Sequence, residues 1–450
     1  MPAEILYILV LLVVICVVFI VLKRPIYEAM FAGYVVLIII TGQWSKFFTH
    51  MYTTTTNTLF YAIVAFLAVA QLFGATKVID SVIGIILAAF GRIRGGAGYV
   101  ALIGSTFMGA LSGSGAGNVA ATGVFTIPAM KKSGFPAHLA ANVEMASSTM
   151  GNQIPPAGVI TASFGALDSL YKGQYTMSVF WMLMWGISLW FILQRGITLY
   201  AFCRFFKVKP MAKEDIPNIK ETLKTGWLGL LLPLVIFIPF LLDNTVKPFF
   251  TARIGTGAGA WSSTVLLFTP GLAGLYAILI SRKKVNVSPK AIATMFSQQI
   301  KSIIPVTITI FFAYSVSNLF GTLGVGEVVG QVIKSMGLSY VALAFLIPLL
   351  CAILGMVLPG SSQVLIFGTT IIVIMAGAGA NPLLVAGILP VITGAMEGMT
   401  PPLALCMYTA MGIAGSGMKE TTINCMIWVA LHYILSVAVL LGVLPIIGLI

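Results

Sequence analysis

The sequence predicts an all-α polytopic membrane protein with inverted repeats, carrying two re-entrant helical hairpins and two broken helices. Three observations predict it. The composition requires a bilayer as solvent, long apolar stretches are interrupted at mid-length by Gly, Ser, Asn and Pro, and those interruptions recur roughly 246 residues later.

Hydrophobic residues make up 59% of the 450 residues and charged residues only 8%, against the about 25% charged that a soluble surface carries. A secreted enzyme, a nucleic-acid-binding module and a disordered tail are excluded. The net charge of +13 is read as Lys and Arg in cytoplasmic loops rather than as a nucleic-acid footprint. The five cysteines lie in apolar segments without a CxxC, and the three histidines are far apart. A disulfide scaffold and a structural zinc site are therefore not expected. The first segment has neither a basic leader nor a small-residue cleavage site, so it reads as a retained span stopped by Lys23 and Arg24.

A span needs about 20 apolar residues. Segments 4–22, 26–42, 58–74, 177–203, 226–242, 260–281, 303–322 and 423–449 qualify. The expected organisation is an N-terminal scaffold over 1–57 and a first repeat over 58–170, holding hairpin 98–130 and broken helix 136–168. Central scaffold spans over 177–302 include a cytoplasmic arm, 204–225. A second repeat over 303–422 holds hairpin 338–378 and broken helix 383–414, and a last span covers 423–450. The two hairpins and two broken helices are apolar stretches too long for one span with no charged loop at their centres, and such backbone is tolerated at membrane depth only where it lines protein or a cavity. Ser288-Pro289 is a cap followed by an N1 proline and predicts an interfacial helix over 289–301.

The repeat rests on Leu72-Phe73-Gly74 recurring at Leu319-Phe320-Gly321, Tyr99-Val100-Ala101-Leu102 at Tyr340-Val341-Ala342-Leu343, and Pro155-Pro156 at Pro401-Pro402, at offsets of 247, 241 and 246. With residues 23–25 in the cytoplasm, nineteen basic residues fall in cytoplasmic loops. Five (Lys46, Lys172, Lys247, Arg253 and Lys334) fall outside, and Arg195 lies within a span. The first hairpin then enters from the cytoplasm and the second from outside. Inverted repeats with broken helices are a mark of secondary transporters.

Four clusters carry the chemistry. At the first tip, Ser112-Gly113-Ser114-Gly115-Ala116-Gly117-Asn118, alternating glycines stop the helix. Its incoming half offers carbonyls to a hard cation and its outgoing half offers amides to a carboxylate. Close helix packing by small residues is the competing reading. Around Pro155-Pro156, the freed carbonyls and the Ser148, Thr149 and Asn152 side chains form oxygen groups for sodium, against a plain proline kink. Pro359-Gly360-Ser361-Ser362-Gln363 and Gly394 through Pro402 are the repeat copies, giving a second sodium site by pseudosymmetry and a carboxylate between the tips. Glu144 and Glu397 are acids within the membrane. Glu397 is expected to ligand a cation, relay a proton or lock the break, and Glu144 fits a structural hydrogen bond as well. No Ser–His–Asp order, HExxH or P-loop is present, so no enzyme is expected.

At these clusters the chain resembles the large, DctM-like membrane subunit of tripartite ATP-independent periplasmic (TRAP) transporters. The carrying residues are Arg94-Gly95-Gly96-Ala97, Ser112-Gly113-Ser114, Ile127-Pro128-Ala129-Met130-Lys131-Lys132-Ser133-Gly134, Ile154-Pro155-Pro156, Gly355-Met356-Val357-Leu358-Pro359 and Thr400-Pro401-Pro402. It departs at Ala157-Gly158, and its second tip looks more like the TAXI branch. The resemblance implies an elevator-type symporter of the bacterial inner membrane, coupling two or more Na+ ions to uptake of an organic acid delivered by a periplasmic substrate-binding protein. It also implies a small four-span membrane subunit as partner. Metal ligands are then expected among Ser112, Gly113, Ser114, Thr149, Gly151, Asn152, Pro155, Gly360, Ser361, Met396, Glu397, Thr400 and Pro401. Substrate is expected on Ser114, Gly115, Asn118, Asn152, Ser361, Ser362, Gln363 and Thr400. A stand-alone sodium- or proton-coupled carboxylate transporter is the alternative. A proton-translocating redox subunit lacks its file of charged residues, and a channel fits paired closed tips poorly.

Overall fold

The computed structural model describes residues 2–112, 115–255, 258–286, 288–335, 337–356, 360–401 and 404–449. Regular structure in them is helical throughout. The chain begins with α1 (Ala3–Cys16), extended by a π-turn over Val17–Val21, then α2 (Ile26–Thr41), ended by Gly42 at φ 67°. That left-handed turn suits glycine, which has no Cβ to clash. The short α3 (Phe47–Thr55) precedes α4 (Thr58–Ala75) and α5 (Val78–Phe90). The first hairpin is α6 (Gly96–Ser112) and α7 (Gly115–Lys132). The first broken helix is α8 (Ala137–Thr149), a 3-10 turn over Met150–Gln153, and α9 (Gly158–Leu170), with a cis Pro155–Pro156 bond between.

Next come α10 (Met177–Phe205), α11 (Ile219–Gly226), α12 (Leu232–Ile254) and α13 (Ala258–Ser281). The segment before α11 lies along the cytoplasmic end of the first hairpin: Lys209 N donates to Ser133 O and Met211 N to Gly91 O. Where the sequence suggests an interfacial helix over 289–301 and a separate span, a single 34-residue helix, α14 (Pro289–Thr322), runs through both. Ser288 caps it as expected, accepting from Ala291 N. Pro305 removes one intrahelical donor but does not end the helix, as membrane helices with neighbouring support tolerate.

The second half repeats the plan. After α15 (Val325–Ser335), the second hairpin is α16 (Tyr340–Gly355) and α17 (Gly360–Gly377). The second broken helix is α18 (Pro382–Met399) and α19 (Leu405–Ala414), and α20 (Met418–Leu440) closes the chain. Among the described residues, α10, Ser263–Ser281 of α13, α17, α18 and α20 are long and apolar enough to cross a membrane.

The hairpins and broken helices pack against one another at the centre, with α10 and α20 laid directly on the broken helices. The remaining long helices form a second group in which α2, α3 and α4 pack on α14 and α4 on α13. Proline and polar side chains complement each other inside the central group. Pro390 has no N–H to offer the Ala386 carbonyl, and Ser163 Oγ of α9 fills that place at 2.7 Å.

Candidate functional site

The repeat is visible as matched backbone contacts. A Cβ on Gly151, in the first broken turn, would lie 2.1 Å from the carbonyl carbon of Gly109 on α6. Advance both positions by 246 and the pair is Glu397 and Gly355, where a Cβ on Gly355 would lie 3.1 Å from Glu397 N. Each hairpin thus presses its incoming helix against a broken turn, and glycine on the hairpin side makes the approach possible.

The two broken turns also meet. Asn152 Nδ2 donates to Gly394 O at 3.1 Å, while a Cβ on Gly398 would meet Thr149 Cγ2 at 2.6 Å and Cys406 Sγ at 2.7 Å. Gly115, at the start of α7, packs on the same Cys406 sulfur. First tip, first break and second break are therefore one contiguous cluster.

Of the expected site residues, Gly113 and Ser114 lie outside the described residues, as does the side chain of Ser112. Pro359 and Pro402 also fall there. Asn118 is buried and ties the hairpin to the break, its Nδ2 donating to Ser105 O at 2.6 Å and Ser148 O at 3.4 Å. Thr149 Oγ1 donates to Ala146 O, and Pro155 is buried beside the 3-10 turn. In the second half, Ser361 is half-buried at the start of α17, and Ser362 and Gln363 are buried. Thr400 donates from both its N and Oγ1 to Met396 O, which leaves that carbonyl with its two acceptor sites spent. Pro401 is half-buried. Glu397 Oε2 accepts from Gly360 N, so its carboxyl group caps α17 at the positive end of the helix.

Four buried side chains here have polar atoms without a partner among the described residues: Asn118 at Oδ1, Gln153 at Nε2 and Oε1, Ser362 at Oγ and, about two helical turns before the first break, Asn142 at Oδ1. A buried amide or hydroxyl left unpaired costs about 1–3 kcal/mol, so these atoms are where a ligand has most to gain.

Two further clusters form around Glu144 and Arg195, which the sequence points to without their partners. Glu144 on α8 is completely buried and accepts from four hydroxyls: Ser105 at 2.8 Å, Thr122 and Thr126 at 2.5 Å, and Ser148 at 3.0 Å. Thr122 and Thr126 are four apart on α7 and so share a face. Arg195 on α10, also buried, donates from Nε to Ala146 O at 2.8 Å and contacts His432 Nδ1 of α20 at 3.3 Å. His432 Nε2 lies 3.0 Å from Val391 O of α18. Arg195 and His432 thus bridge carbonyls at corresponding places on the two broken helices. Nearby, Ser188 Oγ of α10 donates to Gln153 O at 2.7 Å.

Paired hairpins and broken helices that converge inside a helical membrane protein define a secondary-transporter fold. The chain belongs to the family of the tripartite ATP-independent periplasmic transporter, DctM component, whose model matches residues 8–447. It is a transporter permease that crosses the bacterial inner membrane many times, and not an enzyme. The C4-dicarboxylate TRAP transporter large permease protein DctM of Rhodobacter capsulatus is 26% identical over 376 residues, 80% of this chain and 79% of that one. The protein of the same name from Vibrio cholerae is 24% identical over 391 residues, covering 84% and 82%. Among solved structures, Neisseria gonorrhoeae MtrF, of a class of antimetabolite efflux pumps, superposes with a TM-score of 0.62 at 13% identity, covering 90% of this chain and 85% of that one. The YdaH transporter of Alcanivorax borkumensis gives 0.58 at 14% identity, covering 91% and 90%. Both share the fold.

Proposed function

We propose that this permease couples sodium entry to uptake of a small organic acid, moving hairpins and broken helices as one body past the α2–α4, α13 and α14 group. The observation that carries the reading is the meeting of the two broken turns at Asn152 and Gly394, with unpartnered buried oxygens at Asn118 and Ser362 close in sequence to the two tips. Oxygen groups of this kind suit a hard monovalent or divalent cation. The first sodium takes oxygens of the first tip, Thr149, Gly151 and Asn152, and the second takes those of Ser361, Ser362 and Thr400. The carboxylate lies between the starts of α7 and α17, where helix amides favour an anion. The dicarboxylate named for the relatives supports that substrate class. A periplasmic binding protein delivers it, and a small four-span subunit braces the static group.

The boundary of the moving body follows from the buried ties. A sliding surface that carried the Arg195–Ala146, His432–Val391 and Ser188–Gln153 bonds would have to strip a buried guanidinium of its acceptors at each cycle, which is expensive. On this reading α10 and α20 travel with the broken helices.

Thermal unfolding in detergent, titrating sodium against potassium and choline at constant ionic strength, tests the coupling ion. One site stabilises by about 2.7 kcal/mol at one hundred times its dissociation constant. The expected result is a sodium-specific shift that Ser362→Ala reduces, since that hydroxyl has no partner to lose among the described residues. Equal shifts in sodium and potassium would sink sodium coupling. Uptake by liposomes that hold this chain alone would remove the binding protein and small subunit from the proposal and favour a stand-alone transporter.

A further inference from the structure

A cavity of about 630 Å³ is lined in part by Lys46 and its neighbours, which the bias of basic residues puts on the outer side, and by none of the tip residues. Lys46, Thr49, His50 and Thr53 form one wall. Their spacing, i, i+3, i+4 and i+7, places them on one face of the helical segment that includes α3. The segment is fixed to α14, whose Asn318 also lines the cavity: Asn318 Nδ2 donates to His50 O at 3.1 Å and to Thr54 Oγ1 at 3.2 Å, and Thr54 Oγ1 is 3.2 Å from Ser315 Oγ. The facing wall comes from the end of α9, with Ser169, and the middle of α17, with Thr369 and Thr370, and Glu327 of α15 is the one acid on the lining. The cavity therefore lies between the group proposed to be static and the group proposed to move.

His50 is 3% exposed, and its Nε2 has no hydrogen-bond partner among the described residues. Burial first, and the Lys46 charge second, hold the imidazole below its ordinary pKa. At neutral pH it is an uncharged ring beside an ammonium group one turn away. A buried ring nitrogen needs a partner, and one placed next to a fixed cation in a volume typical of small-molecule sites is suited to a carboxylate.

We propose that this cavity is an outer capture site for a small carboxylate anion, held by Lys46 and His50 and closed on the far side by Thr369 and Thr370. It rests on the proposed uptake of an organic acid, and it is separate from the tips. An anion held here waits against the end of α9 and the middle of α17, which the proposed motion carries past α3. Glu327 opposes the anion, so the site holds it loosely enough to release it.

The test is protection of a Thr53→Cys variant of the full chain from a charged maleimide, in sodium-free buffer, so that the tip sites do not contribute. At a concentration about ten times its dissociation constant, succinate slows labelling about tenfold by mass action, and neutral succinamide does not. Lys46→Gln and, in a second variant, His50→Ala abolish the protection, whereas Glu327→Gln strengthens it. A cation site would give the opposite signs at Lys46 and Glu327 and would overturn the proposal. So would equal labelling in succinate and succinamide, or protection that survives both Lys46→Gln and His50→Ala. The sodium-dependent thermal shift reads the tip sites independently. If it persists while protection is absent, the capture site falls and the coupling reading stands.

Discussion

Replacing Glu144 asks whether the first hairpin is held to its broken helix by a buried carboxyl group or simply by packing. Four hydroxyls from α6, α7 and α8 converge on its two oxygens. In Glu144→Gln the shape is kept, but one oxygen becomes an NH2 group facing hydroxyl donors. Thr122 and Thr126 have alternatives, since each hydroxyl also reaches a carbonyl one turn back, Asn118 O at 2.9 Å and Thr122 O at 3.1 Å. Hydrogen bonds to charged groups contribute about 1.5–3 kcal/mol and neutral ones about 0.5–1.5, so downgrading two of the four bonds costs about 2 kcal/mol. Glu144→Leu leaves Ser148 without its acceptor and Ser105 with only Thr122 Oγ1 at 3.0 Å, and should cost more, about 3–5 kcal/mol.

Unfolding by SDS titration in mixed micelles should therefore rank wild type above Glu144→Gln and Glu144→Leu last. A double-mutant cycle between Glu144→Gln and Thr126→Val should show coupling of about 1 kcal/mol or more. The reasoning fails if Glu144→Leu is as stable as wild type. That outcome is physically reasonable, because an apolar group of similar volume sometimes outperforms a buried charge, and it would mean the hydroxyls are satisfied by their own helices.

Two further perturbations follow from the same core. Gly151→Ala forces a Cβ to within 2.1 Å of the Gly109 backbone, and overpacking of this kind costs about 1–3 kcal/mol or more. The same titration should show that loss, with little effect from alanine at Gly196, where a Cβ meets nothing within 4 Å. Arg195→Lys keeps the charge but loses the forked geometry that reaches Ala146 O and His432 together. It should destabilise by about 3–5 kcal/mol, as does breaking other buried charge contacts, and wild-type stability in this variant would refute the bridging role.

The hairpins and broken helices were legible in the sequence because what makes them is local. Glycine and proline cannot continue a membrane helix without help, so their positions mark the interruptions directly. Pro155, Gly115 and Gly360 all sit at or beside observed ends. Pro305 shows the limit of that rule: the same residue type inside α14 leaves the helix whole, since neighbouring helices decide whether a missing N–H becomes a break. The polar centre was legible only in part. Asn118, Asn152 and Glu397 were found because they interrupt apolar runs near the breaks. Ser105, Thr122 and Thr126 were not, because hydroxyl side chains on a membrane helix most often turn back to their own carbonyls, and nothing local distinguishes those that face a buried acid. The Arg195–His432 bridge joins residues 237 apart, a separation no spacing rule covers.

The matched glycines explain how a repeat this diverged still gives two halves of the same plan. Side chains at the two breaks differ, Gly151 against Glu397 and Asn152 against Gly398, so side-chain chemistry is not what the halves share. What they share is the approach of hairpin backbone to broken-turn backbone, which excludes a Cβ at Gly109 and permits no more than a close one at Gly355. Preserving the contact preserves the two tips' placement relative to the breaks, while the side chains around it are free to specialise. That division fits the asymmetry at the tips. The second break provides a carboxyl group that caps its own hairpin at Gly360, whereas the first has Gly151 in that place, and its hairpin is locked from further down α8 by Glu144, whose counterpart in the second half is Pro390. The second hairpin is thus held at the start of α17 and the first along the length of α6 and α7.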